Sequence, residues 1–318
     1  MGGHGESQSG DLRAHEWQVA ADYRYLYADQ FFFGTQQATP PAQYFGQPLI
    51  INVHSLNLNA TYAVTDRFGV RLTVPVVWGR NSRFSADTAR HVAQAGGVGD
   101  IALVGTAWLL NPRTHAKGNV ALGAGGKIPT GNSKYTDNFF LANGSSVRWP
   151  VDQSIELGDG GWGVILQGQA FRQVTPRAFA YFTGSYLMSP RDLSEVVRDP
   201  VGANSTVHYS VSDVYTGRLG VSYSLLPQRG VSVSLGGRID GIPYHDLIGK
   251  SDGFRRPGYV VFVDPGVALE RGPSTLTFST PVRVAQRLAT RQMVKPGGSI
   301  GAGDLAKVLI FVGYARRL

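Results

Sequence analysis

Along most of this chain, apolar and polar side chains alternate one by one. The clearest case is Gly96–Gly131, where Val120, Leu122, Ala124, Gly126 and Ile128 fall on one face and Ala121, Gly123, Gly125 and Lys127 on the other. A period of two is the mark of a strand with one apolar face. The polar turn at Asn111–Gly118, with Pro112 inside it, makes the stretch a β-hairpin. Its second face is small and polar and carries a lysine, so it does not read as the second side of a packed core.

The same arrangement returns through the rest of the 318 residues. Strands are expected near Glu16–Ala28, Ile50–Val64, Phe68–Trp78, the two arms of the hairpin, Trp162–Gln173, Ala178–Met188, Val207–Leu225, Val231–Asp240, Gly258–Glu270, Ser274–Val284 and Asp304–Leu318. Residues 79–97 read as a loop, with Ala86–Ala95 compatible with a short helix. The longest loop falls at about 130–160. The rhythm is about twelve strands in which short turns and long loops alternate, as in an outer-membrane barrel. No run approaches the roughly 18–20 apolar residues of a membrane-spanning helix. A barrel needs only alternate residues to face lipid, so its apolar content stays ordinary, here 42%.

The expected fold is therefore all-β: a single transmembrane antiparallel up-and-down β-barrel of about twelve strands over residues 16–318, with short periplasmic turns and long external loops. A polar, Gly-rich segment over residues 1–15 is expected to be a disordered tail. It has no apolar core of a signal peptide, so the chain reads as an exported form lacking that segment, bound for the outer membrane of a Gram-negative bacterium. There is no cysteine, which excludes a disulfide scaffold and thiol chemistry. Trp17, Tyr23, Tyr62, Trp78, Trp162, Tyr186, Tyr215, Tyr223 and Tyr259 lie at strand ends or outward positions, as interfacial girdles do.

The inward set is where function is expected. It comprises Arg24, Arg71, Lys127, Arg218, Arg238, Arg283 and Lys307, with Asp22, Asp240, Asp264 and Glu270. Two arrangements suit such a set: a charged, anion-favouring channel lining, or a ladder of mutual pairs that plugs a narrow lumen. Phe31, Phe32, Phe33, Tyr44 and Phe45 form an aromatic segment expected in the first external loop, where it either folds into the mouth to meet an apolar solute or packs within the loop. The net charge of +8 comes from scattered residues with no basic block, so nucleic acid is not expected as a partner. Outer-membrane lipid, lipopolysaccharide and small solutes are; a homo-oligomer or surface assembly stays open.

Site motifs are thin. Asp152, Glu156 and Asp159 match no calcium loop. Seven histidines show no zinc spacing, and Gly123–Lys127 lacks the Ser/Thr and following helix of a phosphate loop. No cofactor, no metal and no catalytic residue is expected; Ser/His neighbours such as His208 and Ser210 lack an orienting third group.

Three segments carry a family resemblance: GVGDIALVGTAWLL (Gly97–Leu110), LGAGGKIPTG (Leu122–Gly131) and ELGDGGWG (Glu156–Gly163). Together they resemble the outer-membrane transporter-like barrels of the meta-pathway phenol-degradation protein family. The resemblance implies a barrel that assists uptake of small, aromatic compounds, and it carries over no binding residue. The last strand, with Val308, Ile310, Val312 and Tyr314 in one register, resembles a barrel's terminal assembly strand, although Leu318 stands where an aromatic is usual. The expected function is an outer-membrane channel for small solutes, anionic or aromatic; the alternative is a non-conducting surface barrel acting through its loops.

Overall fold

The computed structural model describes residues 12–40, 42, 45–198, 206–289 and 302–318. Tyr44 and most of the expected N-terminal tail lie outside them. Residues 12–15 are packed: Leu12 is buried, the Ala14 N–H donates to Asp66, and the His15 N–H donates to the Ala63 carbonyl.

The strands in chain order are β1 (Trp17–Phe33), β2 (Gln36–Gln37), β3 (Ile50–Ala63), β4 (Phe68–Phe84), β5 (Arg90–Val98), β6 (Ile101–Trp108), β7 (Gly118–Ile128), β8 (Thr136–Phe140), β9 (Ser146–Pro150) and β10 (Gly163–Thr175). They continue as β11 (Ala178–Met188), β12 (Leu193–Val197), β13 (His208–Ser210), β14 (Val214–Leu226), β15 (Val231–Ile242), β16 (Gly258–Arg271), β17 (Ser274–Ser279), β18 (Val282–Leu288) and β19 (Ala302–Arg317). Successive long strands pair antiparallel, β5 with β6 and β17 with β18 each make one interrupted stave, and β19 pairs with β1. The result is a closed antiparallel barrel of 12 staves with extra strands. Closure leaves no long sheet edge and satisfies the backbone internally, which a hydrocarbon surrounding demands.

Alternation along the staves sorts the two faces. Leu58, Leu122, Phe182, Leu219, Leu235 and Val312 stand exposed on the outer wall, and every stave contributes such a residue. Trp17 and Tyr62, rings 4.8 Å apart, lie at the short-turn end. The inner wall carries Asp22, Arg24, Asn57, Asn59, Arg71, Thr73, Gln167, Thr183, Thr216 and Arg218 around an interior cavity.

Three expectations need correction. Residues 79–97 are not a loop with a helix. β4 continues to Phe84, and β5 returns after a turn at 85–89, with Ala93 and Ala95 less exposed than Val92, Gln94 and Gly96. The period-two pattern outweighs the helix-favouring composition there. The expected strand at Val207–Leu225 is two elements, β13 and β14, with β13 pairing β12 outside the barrel sheet. Phe31–Phe33 belong to β1 rather than to a loop: Phe31 and Phe32 are buried and Phe33 is exposed.

The 129–162 connection folds back into the barrel. β8 and β9 form a hairpin, and Val151, Ile155 and Leu157 then join Ala28, Ile51, Val53, Ala95, Phe262 and Leu309 in one buried apolar cluster. Those partners come from β1, β3, β5, β16 and β19, on different sides of the barrel, so the loop lies across the lumen toward the long-loop end. Ile155 is 1% exposed.

Candidate functional site: a charged lumen beneath an inserted loop

The lumen has two tiers. The upper tier lies directly under the inserted loop. Lys127, near the end of β7, points inward because its neighbours Ile128 and Gly126 take the outer positions. Its ammonium donates to Asp100 at 3.1 Å and to Asp159 at 2.5 Å. Asp100 sits at the break between β5 and β6 and also accepts from the Gly131 N–H. One lysine thus ties a stave to both ends of the inserted connection. Asp152 pairs with Arg256 at 2.9 Å. Burial alone would raise its carboxyl, but the Arg256 guanidinium and the Ser154 N–H hold it well below the usual carboxylate range. Glu156 goes the other way: burial, then the charges of Asp159 and Asp152, raise it well above the ordinary glutamate range against Lys127 and Arg256. Asp152 and Asp159 are thus held by Arg256 and Lys127, and among the described residues no group of three acidic or histidine side chains could hold a metal ion.

The lower tier lines a cavity of about 470 Å³. On its floor Arg218 (β14) donates through Nε to Asp264 (β16) at 2.8 Å, with a second contact from Nη2, and both side chains are buried. Arg238 pairs with Asp240 on the same strand at 2.8 Å and lies over the Phe311 ring at 4.7 Å. Asp22 accepts from Asn59, and Asn59 accepts from Thr73. Arg24 and Arg71 differ from these. Neither forms an ion pair with a carboxylate among the described residues. Arg24 reaches Ser55 only at 3.4 Å, and its buried Nε has no partner.

The structure sorts the residues expected to face inward. Arg24, Arg71, Arg218 and Arg238 meet at one cavity; Lys127 lies above them. Asp240 and Asp264 serve as their counter-ions. Arg283 is elsewhere, held by Gln30 and stacked 4.2 Å over Phe32 near the long-loop end of β1. Glu270 is at the far end of β16, where its N–H donates to Gly230 in the turn between β14 and β15. Lys307 is not inward: the β1–β19 register slips between Leu26 and Ala28, leaving Lys307 and Val308 both exposed in a bulge. A bulge inserts one residue and breaks the parity on which the inward assignment rests. Phe45 is exposed, 5.9 Å from the Phe84 ring, so the aromatic segment is divided rather than gathered at one site. Missed altogether are Asp100 and the apolar residues of the inserted loop; Asp159, weighed from the sequence only against a calcium loop, instead holds Lys127.

A closed antiparallel barrel with an apolar outer belt, aromatic residues toward its ends and a polar lumen is the architecture of an outer-membrane β-barrel. An outer-membrane channel from Pseudomonas putida F1 has this fold, with a TM-score of 0.63 over 98% of this chain and 100% of that one at 17% identity. A mutant of TodX, a monoaromatic hydrocarbon channel, reaches 0.50 over 98% and 92% of the two chains at 9% identity. No family model and no curated protein matches the sequence. The fold anticipated from the sequence resemblance is the one the chain has.

Proposed function

We propose that this protein is an outer-membrane channel for small solutes, with anionic and aromatic ones favoured, and not an enzyme. The observation that carries the reading is the lower tier. Four arginines face one cavity; Asp264 and Asp240 compensate two of them, and Arg24 and Arg71 have no ion-pair partner among the described residues. A water-filled passage lined by uncompensated guanidinium raises the local concentration of anions. Phe311 beside Arg238 adds an aromatic surface for a ring-bearing solute. The short turns face the periplasm and the long loops the exterior. The channel function of the structurally similar proteins supports the reading only as an analogy of fold.

A second reading rests on the inserted loop. Val151, Ile155 and Leu157 are packed like a core, so the resting barrel is closed at its upper end, and conduction requires that segment to move. A barrel in which it never moves acts through its external loops.

Single-channel recording of the refolded protein in a planar bilayer under a salt gradient separates these readings. Conductance with a reversal potential on the anion side supports the channel. Cation preference removes the anionic part, and silence from a verified folded barrel supports the closed reading.

A further inference from the structure

On the outer wall near the short-turn end, the apolar belt gives way to a groove of about 560 Å³. Its floor is made by Gly118, Ala170 and Ala180, and Leu110, Phe182 and Leu219 stand around it. The volume lies within the roughly 300–1,000 Å³ of small-molecule sites. The floor follows from strand register. Arg172 of β10 is paired with Gly118 on one side and Ala180 on the other, so the outward row at this level is a single long side chain between two minimal ones.

Arg172 is the anomaly of that wall. It occupies the same outward parity as Leu166 and Ala170, it is exposed, and no carboxylate among the described residues pairs with it. Its stem lies over Gly118, where a Cβ would stand 3.0 Å from the Arg172 Cδ. An arginine on a lipid-facing surface is expensive at the bilayer centre and tolerable where its head can reach the interface. Arg172 lies three residues before the end of β10 at Thr175, at such a level. Lys117, whose carbonyl accepts from the Gln173 N–H, and Arg177 in the following turn place two more exposed cations at the same rim.

We propose that this groove is a phospholipid site: one acyl chain of a periplasmic-leaflet glycerophospholipid lies over Ala170 and Ala180, beside the Arg172 stem that covers Gly118, and its phosphate is taken by Arg172 with Lys117 and Arg177. The charge-assisted bond from guanidinium to phosphate supplies the ion-pair partner that Arg172 lacks among the described residues. Small floor residues admit the chain where the rest of the belt protrudes. The assignment of leaflet rests on the proposed sidedness of the barrel; the site itself does not depend on whether the lumen conducts.

The test is native mass spectrometry of the folded barrel, delipidated in detergent and titrated with palmitoyl-oleoyl phosphatidylethanolamine. The wild-type chain is expected to hold one phospholipid at least about tenfold more tightly than Arg172→Gln or the groove-filling Ala170→Leu, a factor of ten being about 1.4 kcal/mol. Arg172→Lys is expected to retain most of the binding. Equal binding by all four proteins, or none by the wild type, overturns the site, and so does a dimer that disappears in Ala170→Leu. Each sample is first shown to be folded by its heat-modifiable mobility on a gel. Loss of the lipid site in a conducting barrel thus leaves the channel reading intact, and silence in a lipid-binding barrel leaves the site intact.

Discussion

Ile155 rests against the bare backbone of Gly79: a Cβ built on Gly79 would stand 2.5 Å from the Ile155 Cβ. The inserted loop is seated because the facing stave has no side chain at that level. Gly79→Val should therefore unseat it. Overpacking of this kind typically costs about 1–3 kcal/mol, here charged to the closed state of the loop. The expected result is a larger or more frequent open current than wild type, together with faster proteolysis within residues 151–157. An unchanged current trace with a seated loop would show that the segment does not control the passage.

Arg71 has no ion-pair partner among the described residues, so in the proposed channel its charge would act on permeating ions. Arg71→Glu should move the reversal potential toward cation preference under a salt gradient, and Arg71→Gln should move it part of the way. The shift should shrink as ionic strength rises, because the Debye length falls from about 10 Å at 0.1 M to about 3 Å at 1 M.

The Arg218–Asp264 pair is buried on both sides. Removing one partner strands a charge, with a cost of about 3–5 kcal/mol in comparable sites. Asp264→Asn should lower the urea midpoint of the folded barrel in lipid by a large margin. The double change Arg218→Met, Asp264→Leu should lie much nearer wild type, since it removes both desolvation penalties.

Glu156 gives the inserted loop a pH dependence of defined sign. Its carboxyl is raised in the seated loop by burial first and then by Asp159 and Asp152, with Lys127 and Arg256 opposing. A raised acid contributes stability that is complete below the ordinary glutamate pKa of about 4.3 and declines as pH climbs through the higher, seated value. The loop should be held most firmly in acid and loosen toward neutrality, read as rising open probability. Glu156→Gln should flatten that rise. Asp152, held low by Arg256, has the opposite sign: its contribution is present above the ordinary carboxylate range and is lost only in strong acid.

What the sequence made legible was whatever depends on parity. Period-two alternation placed Arg24, Arg71, Lys127, Arg218 and Arg238 on the inner wall, because inward or outward is decided residue by residue along a strand. Pairing was not legible. Arg218 meets Asp264 across the intervening β15, and which carboxylate faces which guanidinium depends on the register that closure imposes. Lys307 shows how far parity can be trusted, since one bulge reverses it. The inserted loop escaped for another reason: Val151, Ile155 and Leu157 sit among Asp, Ser and Gly in a segment with no strand period, and their burial is created by walls that come from five other strands.

The pairing of β1 with β19 joins Tyr23 to Val312 and Ala21 to Tyr314. The two ends of the sheet are thus partners in one ladder, and no hairpin along the chain can become the whole without its last strand. The early strands must wait, with unpaired edges and outward leucines, until β19 has been delivered. Closing so long a loop is slow and entropically costly, and an open sheet of this composition would meanwhile pair with its neighbours. For this chain, open sheet edges that persist until a single late seam closes are a consequence of topology, written into which two strands meet.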